Sequence, residues 1–271
     1  MIGSEADRLT RVVVCPPGKE YFSVHPSGGH NIAGSPDPRK SSEQHRKLTD
    51  TLRAFGSQVV EVKELPGHPN SVFTRDPSLC TPEGYVLLHM GLASRRGEEQ
   101  WMADTLQSLG GPYLGMIDPP ATVEGGDIIL AGKAAFVGLS TRTDTQGVQQ
   151  IKKILTSAGY DVRVVPVPKK YLHLGGAMSL VGPDRILTCL DPLDERLFRG
   201  FNLLRVPANS FMGANVIVLG ENEVITHSAQ RRTLDVLDQA GITVHVLNLS
   251  EFVKGRGGPS CLVLPQDRSW F

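Results

Sequence analysis

Short β-branched runs with period-two patterning alternate along the chain with stretches whose apolar residues recur every three to four positions. RVVVCPP (11–17) precedes a helical stretch over 41–56 and the strand SQVVEV (57–62). SVFTRDPSL (71–79) turns through CTPEG into YVLLHMG, then a helix over 98–110 and the strand YLGMI. GDIILAG and AAFVGLS predict a hairpin, followed by a helix over 145–159 and the strand DVRVVPVP. AMSLVGPDRILTCL predicts a hairpin with a Gly-Pro-Asp turn, then short helical LDERLFRG and the strand LLRVP. NVIVLGENEVITH predicts another with a Gly-Glu-Asn turn, then a helix over 230–241 and the strand ITVHVLN. CLVLP (261–265) reads as a final strand with no helix after it.

A ββαβ-like unit therefore recurs about every fifty residues, the spacing of arrays and propellers. Gly56, Gly110, Gly159 and Gly241 close the helices, as left-handed caps do. The first unit lacks a partner strand and CLVLP lacks a unit. Pairing the two predicts an α/β ring of five units, closed by the C-terminal strand. An open doubly wound sheet is the rival, but such sheets repeat βα without regular hairpins. No low-complexity linker divides the chain, so residues 1–271 read as one domain. The irregular stretch 18–40 is long enough for a lid or binding loop.

Composition narrows the class. Of 271 residues, 40% are apolar and 21% charged, as in an ordinary globule. Lys+Arg and Asp+Glu are both 28, so no basic excess points to nucleic acid. The longest apolar runs fall far short of the roughly 20 residues of a membrane span. The N-terminus MIGSEADRLT lacks a signal-peptide apolar core. Cys15, Cys80, Cys189 and Cys261 are scattered, which predicts reduced thiols in a cytoplasm rather than a disulfide framework.

Four stretches rich in Gly, Pro or polar residues stand where a unit's first strand begins: PNSVFTRDP (69–77), VEGGDI (123–128), LHLGGAM (172–178) and GRGGPSC (255–261). In a ring these places converge, bringing Asp76, Glu124, Asp127, His173 and Cys261 around one cavity. Each alone has an ordinary reading: Cys261 as a core thiol, His173 as a core histidine, Asp127 as a cap, Asp76 as a turn acceptor. Together, a thiol, an imidazole and several carboxylates are costly to bury without purpose. Cys15, Cys80 and Cys189 lie within apolar runs and read as core. Metal is the competing use, but H-E-x-x-H and paired C-x-x-C motifs are absent, as are G-x-G-x-x-G after the first strand and a Walker loop.

A free thiol is only a few per cent thiolate at neutral pH. A cation about 4 Å away contributes about 4 kcal/mol at an effective dielectric near 20, enough to bring the thiol well below pH 7. That cation is either protonated His173 or the substrate. Carboxylates facing the same cavity suit a planar guanidinium, which they grip bidentately. Its central carbon is then the electrophile, and His173 can protonate the leaving amine and activate water.

FTRDP, EGGD, HL and GRGGPSC, in this order, resemble the arginine deiminase and dimethylarginine dimethylaminohydrolase superfamily of guanidino-modifying enzymes. The resemblance covers essentially the whole chain. It implies a five-bladed ββαβ α/β-propeller (the pentein fold) and cofactor-free hydrolysis of arginine or methylated arginine to citrulline and ammonia or an amine. It implies Cys261 as nucleophile and His173 as general acid/base, with Glu124 and Asp76 holding the guanidinium. It also implies that Arg142 grips the substrate carboxylate, with Arg95 and Asn70 as further contacts; by themselves both arginines read as solvated surface residues. Asp127 is grouped with the substrate contacts. The expected partner is a small guanidino amino acid, without nucleic acid or membrane, and a homodimer is left open.

The motifs straddle two branches. GRGGPSC, FTRDP and Asn70 resemble deiminases, which carry an inserted helical domain for which this chain has no room. Dimethylarginine hydrolases usually have an acidic residue where Arg75 stands, and deiminases an aspartate where Gly175 stands. Gly175 would free space for an N-substituted guanidine. Amidino transfer, double hydrolysis of arginine to ornithine, and a non-catalytic binding module on the same ring are the alternatives.

Overall fold

In a computed structural model, which describes residues 3–26, 29–207 and 212–269, the period-two runs form fifteen strands. They are β1 (Arg8–Val14), β2 (Gln58–Glu61), β3 (Ser78–Thr81), β4 (Gly84–Leu87), β5 (Tyr113–Met116), β6 (Ile128–Ala131), β7 (Ala134–Leu139) and β8 (Asp161–Pro166). The remainder are β9 (Met178–Gly182), β10 (Arg185–Thr188), β11 (Asn202–Arg205), β12 (Ile217–Gly220), β13 (Glu223–His227), β14 (Thr243–Leu247) and β15 (Leu264–Ser269). Among the described residues they assemble into five sheets of three: β15-β1-β2, β3-β4-β5, β6-β7-β8, β9-β10-β11 and β12-β13-β14.

Each sheet follows one rule. The middle strand pairs antiparallel with the first and parallel with the third. In four sheets a tight turn makes the antiparallel pair, and in all five a crossover makes the parallel one. In the first sheet the antiparallel partner comes from the other end of the chain, with Arg8 opposite Ser269 and Val13 opposite Leu264.

Burial runs across each sheet. β3, β6, β9 and β12 are buried along their whole length, whereas the third strands β2, β5, β8, β11 and β14 are largely half-exposed. First strands face their neighbours: β15 meets β3, β6 meets β9, and β9 meets β12, which also meets β1. The loops that enter the first strands therefore come together. Among the described residues no helix is long and apolar enough to cross a membrane.

The helices start and stop as their sequence dictates. In helix Pro38–Phe55 the Asp37 side chain accepts from the Lys40 N–H, Pro38 occupies the first turn, and Leu48 and Leu52 are buried. Asp144 caps helix Thr145–Ser157 in the same way. Gly56, Gly110, Gly159 and Gly241 all have positive φ, between 69° and 102°, the left-handed cap read from the sequence. In the fourth unit the helical stretch is a single 3₁₀ turn, Glu195–Phe198.

Several boundaries differ from expectation: the helix expected from residue 41 begins at Pro38, and the run expected as strand from Ser71 becomes strand only at Ser78. The first strand starts at Arg8 and ends at Val14, because Pro16 and Pro17 lack the N–H to extend a ladder. The last strand starts at Leu264, and Cys261 lies in a 3₁₀ turn, Pro259–Leu262. Asn215 holds that turn: its Oδ1 accepts from the Ser260 N–H at 2.9 Å, and its Nδ2 donates to Ser260 Oγ at 2.8 Å.

Candidate active site

The four polar stretches lie on the entries to inner strands. Asp76 precedes β3, Glu124 precedes the turn into β6, His173 precedes the turn Leu174–Ala177 into β9, and Cys261 precedes β15. The glycines let these entries touch. A Cβ on Gly126 would come within 2.8 Å of both Asp76 Oδ1 and His173 Nδ1, and one on Gly257 would collide with the Phe73 ring. EGGD and GRGGPSC therefore carry glycine where neighbouring loops leave no side-chain volume.

His173 is nearly enclosed by acids. Its Nε2 lies 2.6 Å from Glu124 Oε2 and its Nδ1 3.9 Å from Asp76 Oδ1. Burial, the largest single influence, pushes the imidazole pKa down, but Asp76, Glu124 and Asp127 together outweigh it and raise it to about 9. His173 is thus an imidazolium at neutral pH. Glu124 is held well below the usual carboxylate range: burial opposes ionisation, and the hydrogen bond and charge of His173, with Arg142 and Arg95, overcome it.

The carboxylates differ in how full they are. Glu124 accepts from the Gly91 N–H at 3.0 Å, the Leu92 N–H at 3.2 Å, His173 Nε2, and Arg142 Nη1 at 3.2 Å. Three of those donors fill Oε1, and His173 takes Oε2. Among the described residues, the Asp76 side chain accepts only from the Gly126 N–H at 3.0 Å and Arg95 Nη1 at 2.6 Å. Asp127 accepts from Ser140 Oγ, Thr143 Oγ1 and the Leu174 N–H at 2.7, 2.7 and 2.8 Å. The last bond ties Asp127 to the residue that follows His173.

Cys261 Sγ is 3.4 Å from the Gly258 N and 3.9 Å from Asn215 Nδ2. Burial, then the negative charge of Asp76, pushes its thiol up to about 11, and the Gly258 N–H, Arg75 and Arg95 offset this only in part. At rest it is a neutral thiol. Cys15, Cys80 and Cys189 are buried, as read from the sequence.

Cys261, His173, Asp76, Asn70, Arg95 and Arg142 line one cavity of about 20 Å³, lined also by Asn31, Phe73, Leu92, Leu172 and residues 255–257. That is room for about one water. Glu124 lies against His173 and Arg142, and Asp127 sits behind them. A second narrow cavity shares Cys261 and His173 and ends at Arg75 and Glu5. A larger groove of about 450 Å³ between β5 and the helix 145–157 holds none of the residues singled out in the sequence. Asn31 brings part of the 18–40 stretch onto the site, and Asn70 Nδ2 fastens it by donating to the His30 carbonyl; Ser27 and Gly28 of that stretch lie outside the described residues.

Arg95 and Arg142 are 3% and 8% exposed, so neither is a solvated surface residue. Arg95 bridges Asp76, Glu98 and the Phe73 carbonyl. Arg75 donates to the Glu5 carboxylate and the Ile128 carbonyl. Asp76, Glu124 and His173 place ligand atoms within 4.8 Å of one another, a spacing a metal could use. Two of the three carboxylate–imidazole groups also meet an arginine, Asp76 with Arg95 and Glu124 with Arg142. Sequence reasoning missed Glu98 and Asn215. The signal for Asn215 was available: it stands directly before the inner strand β12, as the other site residues stand before theirs.

Five small sheets with a thiol, an imidazolium and carboxylates at their inner entries define a site built for covalent chemistry on a cation. The family model for N,N dimethylarginine dimethylhydrolase, eukaryotic, matches residues 37–224, and that for arginine deiminase matches residues 207–268. The chain belongs to the dimethylarginine dimethylaminohydrolase family. It is 32% identical over 234 residues to the N(G),N(G)-dimethylarginine dimethylaminohydrolase of Pseudomonas aeruginosa, covering 85% of this chain and 90% of that protein. It is 26% identical to the arginine deiminase of Listeria welshimeri, covering 73% of this chain and 61% of that longer protein. A solved Cys-to-Ser mutant of the Pseudomonas enzyme complexed with citrulline superposes with a TM-score of 0.83 at 28% identity, over 95% of this chain and 99% of that one.

Proposed function

We propose that this chain hydrolyses a C–N bond of the guanidino group of methylated arginine or arginine, releasing citrulline and methylamine, dimethylamine or ammonia. The observation that carries the reading is a neutral Cys261 thiol on the same cavity as an imidazolium, His173, over the unfilled carboxylate of Asp76. The thiol needs a cation beside it to ionise, and a guanidinium on Asp76 brings one. As it binds, the thiol proton leaves to solvent. The thiolate attacks the central guanidinium carbon. His173 gives its proton to the departing amine, and the C–N bond breaks to leave an amidino-thioether on Cys261. The now neutral His173 takes a proton from water, which attacks the same carbon; the thiolate is expelled as the remaining hydroxyl proton passes to solvent, leaving the ureido group of citrulline.

In this reading Cys261 and His173 are catalytic, Glu124 orients His173 and with Asp76 holds the guanidinium, and Arg142 with Asn70 recognises the amino-acid end. Arg95 holds the Asp76 carboxylate in place, and Asp127 fixes the His173 turn. The sheets stand as five blades of a ββαβ propeller in a single domain, supported by the contacts between inner strands and by β15 joining β1. A cytoplasmic place agrees with Cys15, Cys80 and Cys261 standing outside any disulfide.

An amidinotransferase and an arginine dihydrolase share the fold, at 17% and 22% identity with TM-scores of 0.80 and 0.82, and that likeness carries the fold alone. The test is an assay of citrulline and released amine from arginine, monomethylarginine and dimethylarginine, with Cys261→Ala as control. Wild-type citrulline that disappears in the variant supports hydrolysis. No turnover of any guanidine favours a binding module on the same fold.

A further inference from the structure

We infer that Arg142 is an internal plug: its guanidinium occupies Glu124 until a ligand's own carboxylate draws it away, which restricts the site to guanidines that carry a carboxylate. This rests on the proposed function and adds a selection rule to it. Arg142 Nη1 lies 3.2 Å from Glu124 Oε1 and 3.5 Å from Oε2, the position an incoming guanidinium would take. Glu124 Oε1 has no acceptor capacity left, because Gly91 and Leu92 share it with Arg142, and His173 holds Oε2.

Of those four donors, only Arg142 is free to leave. Two are main-chain N–H groups of the 91–92 turn, and the third is the proton-bearing ring of His173. The Arg142 backbone is itself fixed. Its N–H donates to Ser140 Oγ, and Ser140 and Thr143 both donate to Asp127. Its carbonyl packs so closely on Gly91 that a Cβ there would stand 2.5 Å away. Only the side-chain torsions of Arg142 can move, and they move within the lining of the cavity.

With the plug in, the cavity has about 20 Å³, too little for a guanidino group. Opening it means separating a buried ion pair. Leaving Arg142 without a partner is costly, and a carboxylate on the ligand removes that cost by accepting the displaced guanidinium bidentately. A guanidine without a carboxylate bears the whole cost. Arg142 is thus a specificity-determining residue twice over: it attracts the amino-acid end and repels ligands that lack it.

A clamp alone and a plug differ in one measurable way. Agmatine keeps the guanidinium and lacks the carboxylate. In a Cys261→Ala background, where ligands bind without reacting, titration calorimetry would compare agmatine and monomethylarginine with and without Arg142→Met. A plug predicts that Arg142→Met weakens monomethylarginine and tightens agmatine by about five-fold or more, the lower end of coupling between sites. A clamp predicts weaker monomethylarginine and unchanged agmatine, and that result overturns the inference. Should the methionine variant melt early, Arg142→Gln carries the same comparison. Failure of the Cys261→Ala protein to bind monomethylarginine at all would instead strike the proposed function, and this inference with it.

Discussion

His173 Nε2 stands 2.6 Å from Glu124 Oε2, with both side chains buried. The pair fixes the ring and keeps it charged. Because the folded pKa is raised from 6.5 to about 9, the stability His173 contributes is fully present below about pH 6.5 and is lost as pH rises through about 9. The gap in melting temperature between wild type and His173→Asn should therefore narrow from pH 6 to pH 10. A constant gap contradicts a charged resting His173. Glu124→Gln should lower kcat by about 10²–10⁴-fold, the range for a lost acid–base function.

The Cys261 thiol, pushed up to about 11, should resist alkylation in the free enzyme. The iodoacetamide rate at Cys261, read by peptide mass spectrometry, should still be climbing at pH 10. A bound unreactive guanidine should increase the thiolate fraction at pH 7. A plateau near pH 7 without ligand would show a resting thiolate.

Gly257→Ala forces a methyl group into the Phe73 ring. Overpacking of this kind costs about 1–3 kcal/mol. The strain falls on the turn that carries Cys261, so kcat should fall more than thermal stability alone accounts for. Phe73→Leu should restore part of both; no rescue would place the damage elsewhere.

Gly175 tests the choice between arginine and its methylated forms. A Cβ there would lie 2.9 Å from the Gly126 carbonyl, so any side chain must shift that strand entry. Gly175→Ala is the control for this displacement. Relative to it, Gly175→Asp should shift kcat/KM toward arginine and away from dimethylarginine by about ten-fold, within the range one altered pocket contact supplies. An unchanged ratio removes Gly175 from the determinants of substrate choice.

Ending the chain before Gly257 removes Cys261 together with β15. β1 then loses the partner that covers it from Arg8 to Val13. The truncated chain should show neither activity nor a cooperative melt. A cooperative melt near the wild-type temperature would show that β15 is dispensable for folding.

The sequence made the units legible because hairpins and capped helices write themselves locally. The Gly caps and the inner-strand entries carrying Asp76, Glu124, His173 and Cys261 all follow from patterns a few residues long. What stayed hidden depends on distant partners. Arg95 and Arg142 read as surface residues because periodicity reports no charge that lies on another unit, and Asp76 and Glu124 are what bury them. Arg75 gained its meaning from Glu5, seventy positions earlier, and from the Ile128 carbonyl. Cys261 read as strand because CLVLP is strand-like, and Asn215, held against Ser260, makes that segment turn first.

The sheet that joins β1 to β15 also sets a clock. The Arg268 side chain bonds the Asp7 carbonyl across 261 positions, so the first strand made must wait for nearly the last. Pairing over such a distance is slow relative to local contacts, and the early units can fold while β1 is still half-bare. During synthesis His173 and its acids exist well before the thiol emerges. On the function proposed above, a nascent chain would gain its guanidinium-binding carboxylates well before its nucleophile.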